Sequence, residues 1–337
     1  MFTTRGMEMH KTISRLTRMG IAAAAILAAS GTAWAQTAWV LPSAYPPANY
    51  HVENLMQFAK DVDTASGGKL KITVHPNAAL FKAPDIKRAV QTGQAQAGEV
   101  LISLHENENP VFGIDVVPFL AISFEQSKKL YEASKPAIEK ALDEQGLKLL
   151  YATPWPPQGV FTKKDVNSVT DLKGLKWRAY NVGTSRIAEL VGAQPVTVQA
   201  AELPQALATG VVESLMTSSA TGVDSKIWES LTHYYDTQAW IPKNITFVNK
   251  AAFEALDPEI QKAVTDSAAA AEARGWELGV EKTKAYMETL QKNGMQVVEP
   301  SEELKKGLAD VGAKLTEDWL KKAGADGAAI LDAYKKM

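Results

Sequence analysis

Arg178 stands near the end of a short apolar stretch, Leu175-Lys176-Trp177-Arg178-Ala179-Tyr180, entered through Asp171-Leu172-Lys173-Gly174 and left through Asn181-Val182-Gly183. A guanidinium offers a planar fork of donors that matches a carboxylate bidentately, and it stays charged at any physiological pH. With ring surface beside it, such a residue could clamp the acid group of an organic anion and hold the body of the molecule against aromatic walls. Strand alternation puts Trp177 on the face opposite Arg178, so Tyr180 is the ring expected to face the anion and Trp177 the one expected to pack the sheet.

Other residues point to the same chemistry. Trp155 sits in the turn Thr153-Pro154-Trp155-Pro156-Pro157-Gln158, where a Trp can pack on one face and stack on a ligand with the other. Thr217 and Ser218 open a hydroxyl run after an apolar strand pattern at Val211 to Met216. Ligands of open α/β sheets bind beyond the carboxyl ends of strands, and these hydroxyls are expected there. Tyr45, Asn49 and Glu99, at or after strand ends nearer the N-terminus, together with Trp240, Asn181 and Asn244, complete the candidate contacts. Glu99 would bind a ligand hydroxyl or amine, or orient Arg178.

Catalytic signatures are missing. The chain has no G-x-S-x-G, H-E-x-x-H, P-loop or G-x-G-x-x-G pattern. His51, His75, His105 and His233 are scattered singly, without metal-ligand spacing. No cofactor is expected. With no cysteine, disulfides, thiolate zinc sites, cysteine nucleophiles and a lipidated N-terminal cysteine are excluded.

The elements that must position these residues read as strand, helix, strand, helix, strand from Thr37 to Leu104. The helices are expected over Asn49 to Thr64 and Asp85 to Thr92, and the strand at Ala95 to Leu104 is apolar enough to be a buried parallel one. A helical stretch from Ser123 to Gln145 contains Pro136, which predicts a break or bend. A second α/β unit follows: strands at Leu147 to Ala152, around Arg178, at Pro195 to Val198 and at Val211 to Met216, with helices at Thr184 to Val191 and Ala201 to Thr209. Beyond residue 240 the pattern turns helical, with a long Ala-rich helix from Pro258 to Gln291 in which Gly275 is a weak point, then a strand at Met295 to Val298 and helices over 302 to 322 and 326 to 336. Strands alternating with helices predict parallel βαβ units arranged as two lobes.

Arg5, Lys11, Arg15 and Arg18, an apolar run from Met19 to Ala29, and Ala33-Trp34-Ala35 read as a cleaved secretory leader. The mature chain is expected to begin at Gln36 and to reside in the periplasm. Without the four basic and one acidic residue of that leader, 32 Lys and Arg face 37 Asp and Glu. Mild acidity argues against nucleic acid or an anionic membrane as partner.

The blocks LKGLKWRAYN, ELVGAQPVTV and AELPQALATGVVESLMTS, with GEVLISLHENENPVFGIDVVPFL and the segment Asn244 to Asn249, resemble the solute-binding component of tripartite ATP-independent periplasmic (TRAP) transporters, the DctP-like family. The resemblance implies a periplasmic-binding-protein-like α/β fold, with a ligand cleft between two lobes and a long helix spanning both. It implies a monomer that hands an organic acid to the TRAP membrane permease subunits. The family's hallmark arginine falls on Arg178. Some members carry a further arginine where this chain has Gln158-Gly159-Val160, and sialic-acid binders use an Asn where this chain has Thr217; both departures argue against a polyhydroxylated sugar acid. Aromatic walls with few polar partners favour an aromatic or apolar monocarboxylate, or a 2-keto or 2-hydroxy acid. The expected lobes are residues 36–155 plus 244–283 and residues 156–243 plus 284–337. The rival readings are a receptor for another sugar-acid, dicarboxylate or ATP-driven importer, and an exported hydrolase.

Overall fold

Two main β-sheets flanked by helices, of three and six strands, and a separate two-stranded pair near the N-terminal end of the described residues carry the chain's architecture in the computed structural model, which describes residues 36–337. The leader reading lies outside the described residues. From Ala38 onward the chain forms one compact unit.

The first part follows the predicted alternation: β1 (Thr37–Pro42), α1 (Tyr50–Ala65), β2 (Leu70–His75), α2 (Ala83–Gln91) and β3 (Ala97–Leu101). Asn49 caps α1, its side-chain oxygen accepting the His51 N–H at 2.9 Å. That bond satisfies one of the otherwise unpaired donors of a helix start. The next helix, α3 (Phe124–Asp143), is one continuous element despite Pro136. Both Pro136 and Glu132, whose carbonyl loses its partner, are exposed, so that carbonyl faces solvent and no break is needed.

β3 is not a parallel strand. It lies antiparallel to β10 (Lys243–Asn249), which pairs antiparallel with β4 (Leu147–Pro154) on its other side. β10 has no counterpart among the predicted strands. Its polar Asn244 and Thr246 are buried along with its apolar residues, so its pattern does not alternate.

The second sheet runs β11-β9-β5-β8-β6-β7, built from β5 (Gln158–Thr162), β6 (Lys176–Ala179), β7 (Gln194–Thr197), β8 (Ser214–Ser218), β9 (His233–Tyr235) and β11 (Gln296–Val298). Its β6, β7 and β8 are parallel, as the βαβ reading requires, with α4 (Val182–Leu190) and α5 (Leu203–Ala208) as the connecting helices. β5 joins antiparallel to β8 and β9. β8 starts three residues later than expected, so Thr217 and Ser218 belong to its end and face Gly159 and Gln158 of β5. A short helix, α6 (Ser219–Asp224), follows β8 directly; α7 (Lys250–Glu254) follows β10.

The long helix α8 (Pro258–Lys292) contacts α1 and β4 beside the first sheet, and α6 and β11 beside the second. This arrangement is a two-lobed α/β fold with one helix spanning both lobes. Gly275 of α8 is a point of close approach, since a Cβ there would lie 2.7 Å from Thr153 Oγ1 and 3.0 Å from Asn54 Nδ2. The last helix, α9 (Glu302–Lys335), is interrupted at Gly324, whose φ of 54° ends one helical run before the next begins, as the two predicted segments imply.

Candidate functional site

A small cavity lies where the ends of β4, β5, β6 and β8 meet the loop after β1. Tyr45, Trp155, Arg178, Tyr180, Thr217 and Ser218 stand on its wall. So do Gln158, Gln199, Thr221, Leu101, Leu104 and Pro242, none of which the sequence reading named as a contact.

Arg178 is held from behind. Parallel pairing of β6 with β7 and β8 places it in the sheet interior, 3 % exposed, where its Nε–H donates to the Val198 carbonyl at 2.8 Å. Its guanidinium carbon lies 4.8 Å from the centre of the Tyr180 ring. Its two terminal nitrogens have no protein hydrogen bond, and no carboxylate among the described residues pairs with it. Burial lowers its pKa to about 10, opposed by the neighbouring Tyr180 and Tyr45, so it stays cationic at neutral pH. A buried cation without a counter-charge is costly, and a bidentate anion is the group that relieves the cost.

The aromatic walls are equally fixed. Trp155 meets Tyr45 at 4.8 Å between ring centres with a 59° tilt, and its other neighbours are His51, stacked at 4.0 Å, and Tyr50, edge-on at 6.1 Å. Burial depresses the His51 pKa and so favours a neutral ring. The Tyr180 hydroxyl donates to Gln158 Oε1 at 3.1 Å, while Gln158 Nε2 donates to the Pro156 carbonyl at 3.0 Å, which fixes the amide's orientation. Burial pushes the Tyr45 and Tyr180 phenols up, so both remain donors. The Thr217 hydroxyl has no protein partner among the described residues, and Ser218 Oγ caps α6 by accepting the Thr221 N–H at 3.1 Å.

Five candidates stand behind or beside the wall instead of on it. Asn181 caps α4, accepting the Thr184 N–H at 2.8 Å and donating to Ser103 Oγ at 3.0 Å. Asn49 caps α1 and donates to Asp224 Oδ2 at 2.6 Å. Glu99 accepts from Ser43 Oγ at 2.7 Å and lies 3.5 Å from His51 Nδ1, so it does not orient Arg178. Asn244 accepts from Trp155 Nε1 at 2.8 Å and from the Tyr45 hydroxyl at 3.4 Å. Trp240 is packed in the core with Tyr180 and lines a separate small cavity beside Phe119 and Leu308. The two helix-starting asparagines share a reason: capping consumes the side-chain oxygen of a residue that from sequence looks free to meet a ligand. Trp177 is fully buried and off the wall, on the sheet face opposite Arg178.

The bonds that join residues around the first sheet to residues around the second include Asn49 to Asp224, Ser103 to Asn181, and the ion pair of Lys82 with Glu202 at 2.9 Å. Ala83 and Ala200 next to that ion pair line the cavity, so the pair stands at its rim. Among the described residues no group of acidic or histidine side chains could hold a metal ion, and no helix is long and apolar enough to cross a membrane.

A two-lobed α/β fold whose cavity presents a buried, unpaired guanidinium between aromatic walls defines a solute-binding receptor. The sequence pattern of the DctP family, bacterial extracellular solute-binding protein family 7, matches residues 43–322, and the chain belongs to this family of extracytoplasmic TRAP transporter receptors. It is a transport component and not an enzyme.

Solved structures of similar proteins agree with this. The chain is 58% identical to DctP6, a Bordetella pertussis extracytoplasmic solute receptor binding pyroglutamic acid; the match covers 89% of this chain and 100% of that one, with a TM-score of 0.88. DctP7, a second such receptor of that organism binding pyroglutamic acid, is 49% identical over 89% of this chain and 99% of its own, TM-score 0.88. A marine metagenome TRAP solute-binding protein specific for pyroglutamate is 46% identical over 90% and 99% of the two chains, again at 0.88.

Proposed function

We propose that this chain is a periplasmic, monomeric receptor that captures pyroglutamate, the cyclic lactam acid, and delivers it to the membrane subunits of a TRAP transporter. The observation that carries the reading is Arg178, a buried guanidinium whose terminal nitrogens have no protein partner and which lines a small cavity. In the proposed mechanism the carboxylate takes both terminal nitrogens, and the flat ring lies against the corner made by Trp155 and Tyr45. The lactam carries one donor and one acceptor, a demand that the Thr217 hydroxyl and the Gln199 amide on the wall are suited to meet.

Pyroglutamate departs from the expected aromatic or apolar monocarboxylate, or 2-keto or 2-hydroxy acid: it is small, cyclic and singly charged, but its ring is a polar amide and not an arene. The similarity to three receptors that bind it, at 46 to 58% identity, supports the choice. A sugar acid asks for partners along every hydroxyl, and this wall is largely aromatic and aliphatic.

Delivery requires opening and closing. The hinge reading takes residues 36–155 plus 244–283 as one lobe and 156–243 plus 284–337 as the other, with those bonds across the cavity as contacts of the closed form. A ligand touching both lobes biases that equilibrium toward closure.

A thermal-shift panel tests the ligand class. Pyroglutamate at about 100 times its Kd should stabilise the protein by about 2.7 kcal/mol, while uronates, sialic acid and aryl acids should leave the melt where it was. A shift with uronates and none with pyroglutamate would overturn the assignment.

A further inference from the structure

Asn244 hydrogen-bonds both aromatic walls from behind. It sits on the central strand β10, opposite Leu101 of β3 and Thr153 of β4, and is 1 % exposed. Its Oδ1 accepts from Trp155 Nε1 at 2.8 Å and from the Tyr45 hydroxyl at 3.4 Å. These two donors define the orientation of the amide, because the reverse would set N–H groups against each other. The consequence is that Nδ2 is buried with no hydrogen-bond partner. A buried, unpaired donor destabilises a fold, so a structural reason for an amide here must lie in its oxygen.

That oxygen is shared by two rings that approach from distant parts of the chain and contact each other at 4.8 Å with a 59° tilt. His51 stacked on Trp155 leaves that ring little room to swing, but stacking alone does not choose its rotation in its own plane. A hydrogen bond to the indole nitrogen does. We propose that Asn244 is a positioning residue: one carbonyl oxygen, bonded to both Trp155 and Tyr45, sets the angle of the aromatic corner and thereby selects flat-ring acids over open-chain acids of equal charge. The selectivity part rests on the pyroglutamate reading; the positioning part does not.

The experiment is a double-mutant cycle with two readouts. In the ligand-free protein, Asn244→Leu should change the tryptophan band of the near-ultraviolet circular dichroism, and in a Trp155→Phe, Tyr45→Phe background it should change nothing further. In calorimetric titrations with pyroglutamate and with glutaramate, the open-chain monoamide that carries the same single charge, Asn244→Leu should weaken pyroglutamate about tenfold more than glutaramate, and that difference should vanish in the doubly substituted background. Asn244→Ala, smaller and free of the unpaired donor, serves if the leucine does not fold.

Unchanged dichroism in the wild-type background, or an equal change in both backgrounds, would overturn the positioning role. Equal weakening of both acids would overturn the selectivity. If wild-type protein does not bind pyroglutamate, the ligand reading and the selectivity fail together, while the dichroism still decides the positioning role.

Discussion

Arg178 concentrates the chemistry because its environment does half of what a ligand must complete. Its Nε is fixed by Val198 and its flat face by Tyr180, which leaves a fork of terminal nitrogens in a cavity without a carboxylate. A lysine would keep the charge but present a point in place of a fork. Arg178→Lys is therefore expected to fold normally and to lose at least tenfold in affinity for a monocarboxylate, on the order of 1.4 kcal/mol; binding within twofold of wild type in calorimetric titration would show that the fork is dispensable. Arg178 was legible in sequence because it sits on a short strand between two turn signals. Gln158 was not: it faces the cavity through β5, a strand preceded by a proline-rich turn that masks its start. Asn244 was named as a contact, yet its two donors come from positions 89 and 199 residues away, a relationship that no local pattern carries.

Elements set the distances between these side chains. α8 reads as a helix from its composition, and the structure extends it from Pro258 to Lys292. Gly275, by its helix propensity alone a weak point, instead admits Thr153 and Asn54 where a Cβ would collide with them. Gly275→Ala gains about 1 kcal/mol of helix propensity but forces α8 away from α1 and β4, an overpacking cost of about 1–3 kcal/mol. A lowered melting temperature is the expected outcome; a raised one would mean that the contact relaxes freely.

The bond from Asn49, at the start of α1, to Asp224, at the end of α6, carries a pH signature. Burial raises the Asp224 pKa from 3.8 to about 6, partly offset by the Asn49 bond. Between those values the folded state binds more protons at this site than the unfolded state, so Asp224 makes stability fall as pH rises through the window. Asp224→Asn keeps an acceptor for Asn49 and removes the charge. The variant should melt higher than wild type at pH 7, and the difference should shrink toward pH 4 in melts across that range; a constant difference would exclude the titration of Asp224 as its cause.

At the scale of the whole molecule, helix positions and the parallel β6, β7 and β8 followed from periodicity and turn residues, because those signals are local. The antiparallel sheet was not legible. β3 is buried on both faces, as a parallel strand in a covered sheet would be, and its true partner β10 lies more than 140 residues away with buried polar side chains breaking its alternation. Only the long-range pairing distinguishes the two cases. That pairing places Asn244 behind Trp155, while the second sheet places Arg178 across from them, so the cavity is a product of both lobes.

The most direct test of the central claim, a carboxylate clamped by Arg178, is a calorimetric cycle of wild type and Arg178→Ala against pyroglutamate and its carboxamide. The account predicts that Arg178→Ala costs about 3–5 kcal/mol for the acid, as when a buried charge loses its partner, and that the neutral amide binds both proteins weakly and alike. Pyroglutamate binding to Arg178→Ala within threefold of wild type would contradict it.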